Sequence, residues 1–230
     1  MLTLGIETAT KVCSVALCDG VKPLASYEVN MGMTHSEGLL PQIAQMLERS
    51  GVAKKDLELI AVSRGPGSFT GLRIGLATAE ALAYGLKLPM IAVSTTETLA
   101  YNLPIPGLLL ACVLDAQKGN YYLALYKWEV GKLVEVKPVT IMPGKEIFNM
   151  LTAYKEPTVL LGECNKLAQA CTANVTVAPQ GIRLPKAMAV AMLGASQHKE
   201  GADTDYFGTE PFYIRRSEAE ELWEQRQKQK

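Results

Sequence analysis

One order of elements occurs twice along the chain, and that repetition constrains the fold more than any single motif. Leu2 to Glu7 and Val12 to Cys18 are short β-rich runs, and Pro23 to Val29 follows the Asp19-Gly20 turn as a third antiparallel strand. A helix then carries Leu39, Leu40, Ile43, Met46 and Leu47 on one face and ends near Gly51. Leu59 to Ser63 reads as a buried strand, Thr70 to Leu86 as a helix, Met90 to Val93 as a strand, and a further helix is closed by Pro104. After Pro104 to Gly107 the order restarts. Leu108 to Leu114, Tyr121 to Trp128 and Lys132 to Ile141 read as strands, Gly144 to Tyr154 as a helix, Thr158 to Leu161 as a strand, Cys164 to Cys171 as a short helix and Val175 to Val177 as a strand. A last helix runs from Pro185 to about His198, with the proline in its first turn. Two such halves predict an α/β chain of two similar lobes with mixed sheets flanked by helices, divided as residues 1–104 and 105–230.

Two capping boxes mark helix starts: Thr34-His-Ser-Glu37 and Ser94-Thr-Thr-Glu97. His35 falls inside the first and is expected to be a solvated first-turn residue. The tail, Ser217 to Lys230, places acids before bases as a helix dipole prefers, and reads as a solvated helix or a docking segment built on Leu222 and Trp223.

Charge narrows the function classes. Lys and Arg total 23, as do Asp and Glu, with no basic cluster before the last residues. Nucleic-acid binders draw most of their affinity from phosphate neutralisation, so this chain is not expected to hold RNA or DNA tightly by itself. The start lacks a basic n-region, and Glu7, Thr8, Thr10 and Lys11 interrupt its apolar residues, so no signal peptide or membrane anchor is expected. Five cysteines without a C-x-x-C pair fit buried thiols in a reducing cytosol.

The stretch Gly65-Pro-Gly-Ser-Phe-Thr-Gly71 invites three enzymatic templates, and spacing tests each. A phosphate loop of Walker type needs a lysine, and none occurs between Lys55 and Lys87. A dinucleotide fingerprint needs G-x-G-x-x-G, whereas Gly65, Gly67 and Gly71 are one residue too widely spaced. A nucleophile elbow would need glycines where Pro66 and Thr70 flank Ser68. What remains is a turn before a helix whose Gly71, Gly75, Ala79 and Ala83 form one small face. Arg73, Glu80 and Lys87 are its only polar stripe, so it must be buried on most of its circumference, at an interlobe or subunit contact. Anion contact through the amides of Gly67 to Thr70 is the alternative. Asp115, at a strand end, could bind a metal or cap a turn.

Ile6-Glu-Thr-Ala-Thr10, Cys13-Ser-Val-Ala-Leu17, the run from Gly65 to Ala100 and Glu210-Pro-Phe-Tyr-Ile-Arg-Arg-Ser-Glu-Ala-Glu220 together resemble the TsaB (YeaZ) family. This family is the bacterial partner in threonylcarbamoyladenosine modification of tRNA. The resemblance covers the first lobe and returns at the C-terminal motif. It implies the duplicated actin-like, RNase H-like lobes of the actin-like ATPase superfamily. The catalytic relative in that pathway, TsaD, has a similar G-P-G turn followed by V-H-H-M-E-G-H, whose histidines bind the metal. The corresponding stretch here is Val93-Ser-Thr-Thr-Glu-Thr-Leu99, without either histidine. Imidazoles are strong ligands for a catalytic divalent ion, and Thr and Leu do not replace them.

The resemblance therefore implies a noncatalytic cytoplasmic subunit that binds and activates TsaD and works with the ATPase TsaE. ATP and divalent metal would be used through those partners, tRNA met only in the complex, and a homodimer formed in isolation. Thr8, Thr10, Gly65, Gly67, Ser68, Phe69 and Thr70 would be a vestigial nucleotide or phosphate loop. The helices at 34–50 and 70–86 would bundle with a partner through Leu39, Ile43, Met46, Leu72, Ile74, Gly75, Ala79 and Ala83. Two other classes stay open: a self-sufficient ATPase or small-molecule kinase using Glu7 or Asp115, and a peptidase, for which no H-E-x-x-H helix is present.

Overall fold

The computed structural model describes residues 1–30, 35–167, 174–202, 204 and 208–214. The first half forms β1 (Leu2–Glu7), β2 (Cys13–Asp19), β3 (Lys22–Val29), α1 (His35–Ser50), β4 (Leu59–Gly65), α2 (Phe69–Leu86), β5 (Met90–Ser94) and α3 (Thr95–Tyr101). The second forms β6 (Leu109–Asp115), β7 (Asn120–Glu129), β8 (Lys132–Pro143), α4 (Gly144–Leu151), β9 (Thr158–Gly162), β10 (Val175–Val177) and α5 (Ala187–Lys199).

The repetition read from sequence is present in the sheets. The first runs β3-β2-β1-β4-β5, and the second, from its other edge, β8-β7-β6-β9-β10. In each, three antiparallel strands are extended by two that run parallel to the first. Local details repeat as well. Glu7 ends β1 and accepts the Ala9 amide at 2.6 Å, while Asp115 ends β6 and accepts the Gln117 amide at 2.7 Å. Gly65 and Gly162 end β4 and β9 with φ of 115° and 100°, a conformation open mainly to glycine.

Period-two alternation gives each sheet two apolar faces. Leu4, Ile6, Val15 and Leu17 meet Leu39, Ile43 and Met46 of α1 and Leu76, Ala79 and Ala83 of α2. The opposite face, with Leu59, Ala61, Ile91 and Val93, is covered by Val190, Leu193 and Ala195 of α5. In the second sheet Leu110, Cys112 and Leu114 meet α3 through Leu99 and Ala100, whereas Leu109, Ala111 and Val113 meet Ile147 and Leu151 of α4. Each half thus lends a helix to the other: α3 covers the second sheet and α5 the first. Glycine permits the closest approach, since a Cβ on Gly5 would lie 2.2 Å from Ala187 O and one on Gly194 2.5 Å from Ala61 Cβ.

Some expectations change at the helix ends. The box at Ser94 does not form, because the Ser94 hydroxyl pairs with Thr96 Oγ1 at 3.0 Å and Glu97 is taken by Gln197 Nε2 at 3.1 and 3.2 Å. Pro185 precedes α5, whose N-cap is Lys186, instead of lying in its first turn. The box at Thr34, the end of the helix expected from Cys164 to Cys171, and the tail from Ser217 onward lie outside the described residues.

Candidate functional site

The glycine turn, the β1–β2 turn and the start of α2 form one assembly. Gly65 is followed by a cis peptide bond to Pro66. Ser68 then caps α2, its hydroxyl accepting the Gly71 amide at 3.2 Å and its own amide donating to Ala9 O at 2.7 Å. A Cβ at Gly67 would lie 2.4 Å from Ala9 O, at Gly71 2.1 Å from Thr8 O, and at Gly75 2.2 Å from Thr8 Oγ1. Thr8 therefore rests on Gly71 and Gly75 of the small face of α2 and Ala9 on Gly67 of the turn, and Thr8 Oγ1 completes the contact by donating to Gly71 O at 2.8 Å.

This assembly gathers the residues expected of a phosphate loop, and the hydroxyls of Thr8, Thr10 and Ser68 are engaged internally. Thr8 and Thr10 are buried, and Thr10 Oγ1 accepts the Val12 amide at 3.3 Å. Gly65 is buried, Gly67 and Phe69 are half-buried, and Ser68 and Thr70 are exposed at the helix start. His35 is not a free solvated residue: Nε2 lies 2.8 Å from Thr10 O, because α1 begins against the β1–β2 turn.

Glu7 sits beneath the same turn and is fully buried. Burial pushes its carboxyl from 4.5 up to about 7, opposed by the Ala9 amide and the nearby Ser63 hydroxyl. Ser63 Oγ favours the charged form without reaching hydrogen-bond geometry, and neither it nor Glu7 Oε2 has a hydrogen-bond partner among the described residues. Asp115 adopts the turn-capping role of its two alternatives, and its amide donates to Glu163 Oε2 at 2.9 Å. Among the described residues no three His, Cys, Asp or Glu side chains gather as metal ligands.

All but one of the residues expected to meet a partner lie inside the fold. Leu39, Ile43, Met46, Leu72, Gly75, Ala79 and Ala83 are buried within this chain, because α1 and α2 spend those faces on the first sheet. Ile74 alone of that set is half-buried. The exposed sides of the same helices carry Leu40 and Ala44 on α1, and Ala77, Ala81, Tyr84 and Gly85 on α2. Ile74, Ala77, Thr78, Ala81 and Gly85 follow helical spacing, so one small, weakly polar band faces outward.

In the stretch Val93 to Leu99, where the resemblance led to an expectation of lost metal ligands, Thr95 and Leu99 each have no exposed surface. Leu99 belongs to the core under the second sheet, and α3 is tied there by Thr96 Oγ1 with Tyr126 Oη at 3.0 Å and by Trp128 Nε1 donating to Ala100 O at 3.2 Å.

Sequence reasoning missed one group. Tyr213 stacks on Phe69 at 4.7 Å, Arg73 lies 3.9 Å above the Phe69 ring, and the Phe212 amide donates to Arg64 O at 2.7 Å. The signal was Pro211-Phe-Tyr213, adjacent aromatics in a chain only 7% aromatic.

Two actin-like sheets with exchanged helices define the class, a duplicated α/β fold of the actin-like ATPase type. EutJ from Carboxydothermus hydrogenoformans shares it at TM-score 0.54 and 13% identity, over 84% of this chain and 90% of that one. The family model described as TsaD, tRNA N6-adenosine threonylcarbamoyltransferase, matches residues 20–223. The tRNA threonylcarbamoyladenosine biosynthesis protein TsaB of Bacillus subtilis is 32% identical, over 99% of this chain and all of that protein. YeaZ from Pseudomonas aeruginosa superposes with TM-score 0.80 at 25% identity, over 93% of this chain and 99% of that one. The chain belongs to the TsaB (YeaZ) family.

Proposed function

We propose that the chain is a noncatalytic subunit in the formation of N6-threonylcarbamoyladenosine at position 37 of tRNAs that read codons beginning with A, where it binds and activates a TsaD transferase. The observation that carries this reading is full-length similarity to a TsaB protein, in a chain with no histidine between Val93 and Leu99, the stretch where the resemblance puts the transferase's metal ligands. Buried Thr and Leu side chains supply no imidazole to a divalent ion.

The outward band of α2, with Leu40 and Ala44 of α1, is the surface for the transferase, and in isolation for a second copy. Small side chains there let another helix approach closely, which a four-helix contact requires. ATP and divalent metal are used through TsaD and the ATPase TsaE, this chain holds no cofactor tightly, and tRNA is engaged by the cytoplasmic complex.

The test is ATP hydrolysis and tRNA modification, with ATP and an activated threonylcarbamoyl donor supplied, by the chain alone, by TsaD with TsaE, and by all three. Modification only in the full mixture is the expected result. Robust turnover by the lone chain would overturn the reading in favour of a self-sufficient ATPase.

A further inference from the structure

Residues 208–214 run across the glycine turn and end beside α2, and they hold one cation in place. The Arg73 guanidinium lies over Phe69, whose ring also stacks on Tyr213, and Arg73 Nε donates to Tyr213 Oη at 3.0 Å. These contacts fix a long side chain that would otherwise sample many rotamers. Its terminal amino groups make no hydrogen bond and no ion pair with any described residue. A groove of about 280 Å³ passes this point, lined by Arg73, Leu76, Ala77, Glu80, Pro211 and Tyr213. It adjoins the outward band of α2 through Ala77.

An arginine stacked on an aromatic ring, with its fork free of the described residues, is pre-organised for bidentate capture of a carboxylate. Arginine and tyrosine set around an apolar floor are also the side chains that most often dominate binding between proteins. We propose that this groove receives a carboxylate-bearing segment of the partner protein, with Arg73 as the specificity-determining anchor and Tyr213 as the residue that positions it. This rests on the proposed function, since it supposes that a TsaD transferase is that partner.

The experiment measures binding of the full chain to the purified TsaD transferase for wild type, Arg73→Met, Arg73→Lys, Tyr213→Phe and Ala81→Asp, with thermal unfolding of each. Arg73→Met and Arg73→Lys should each weaken binding at least ten-fold with unfolding temperatures near wild type, and Tyr213→Phe by a smaller factor. Binding by Arg73→Met should also depend less on salt, because a charge pair has been removed. If Ala81→Asp abolishes binding while Arg73→Met stays within two-fold of wild type, the inference fails and the proposed function stands. If wild type does not bind the transferase at all, both fall. Loss of tRNA binding without loss of transferase binding in Arg73→Met would assign the groove to RNA and overturn the proposal. So would a truncation after Arg216 that binds the transferase ten-fold tighter only while Arg73 is present, because the groove would then belong to the chain's own acidic tail.

Discussion

Glu7 shows how one residue couples the turn to solution conditions. Its folded pKa of about 7 lies above 4.5, so the folded state holds the proton more tightly than the unfolded chain does. The stabilisation is fully present below about pH 4.5 and is lost as pH rises through about 7, a difference of roughly 3 kcal/mol by linkage. Glu7→Gln keeps an acceptor for the Ala9 amide and removes the ionisation. Thermal unfolding should show wild type losing stability from pH 5 to 8 and the variant not, with the variant higher by about 6–12 °C at pH 8. Parallel curves would show that Glu7 does not titrate in this window. Two glycines of α2 give a contrasting pair. Gly71→Ala would drive a Cβ to 2.1 Å from Thr8 O and should destabilise by about 3 kcal/mol, at the upper end for overpacking. Gly85→Ala meets nothing within 4 Å and should stabilise by about 0.5–1 kcal/mol. Denaturant melts giving the same sign for both would refute the close contact at Thr8.

At the scale of the element, α2 divides into an inner and an outer face, and the two respond differently to charge. Ala79 has no exposed surface and sits in the core above β1, so Ala79→Asp should leave little soluble protein. Ala81 is exposed, so Ala81→Asp should keep the wild-type melting curve and lose self-association in sedimentation velocity. A folded, monomeric Ala79→Asp would contradict the packing. The sequence made the helix legible, because seven-residue spacing of Arg73, Glu80 and Lys87 in an apolar run admits little else. It did not say which neighbour takes the small face. Four-residue spacing of Gly71, Gly75, Ala79 and Ala83 reports only that something approaches closely, and a sheet with its turn satisfies that as well as a second helix does. The aromatic–arginine group was hidden for a related reason: Phe69 and Tyr213 are far apart in sequence, and no local period links them.

Over the whole molecule, the duplicated element order was readable because each sheet carries its own strand alternation and turns. The exchange of α3 and α5 was not, since an apolar helix does not specify which of two similar sheets it covers. A fragment of residues 1–104 retains β1 to β5 but lacks α5, leaving Leu59, Ala61, Ile91 and Val93 uncovered. Such a fragment should be insoluble when expressed alone and recovered by co-expression with residues 105–230; a soluble, cooperatively melting fragment would show that α5 is dispensable to the first sheet.

The borrowed helix also sets an order of events during synthesis. The first sheet leaves the ribosome early, but the helix that closes its second face is made only at residues 187–199. Ribosome-stalled chains probed by limited proteolysis should therefore gain protection of β4 and β5 only when Lys199 has cleared the exit tunnel, so that a product cut short before this point cannot pass as finished.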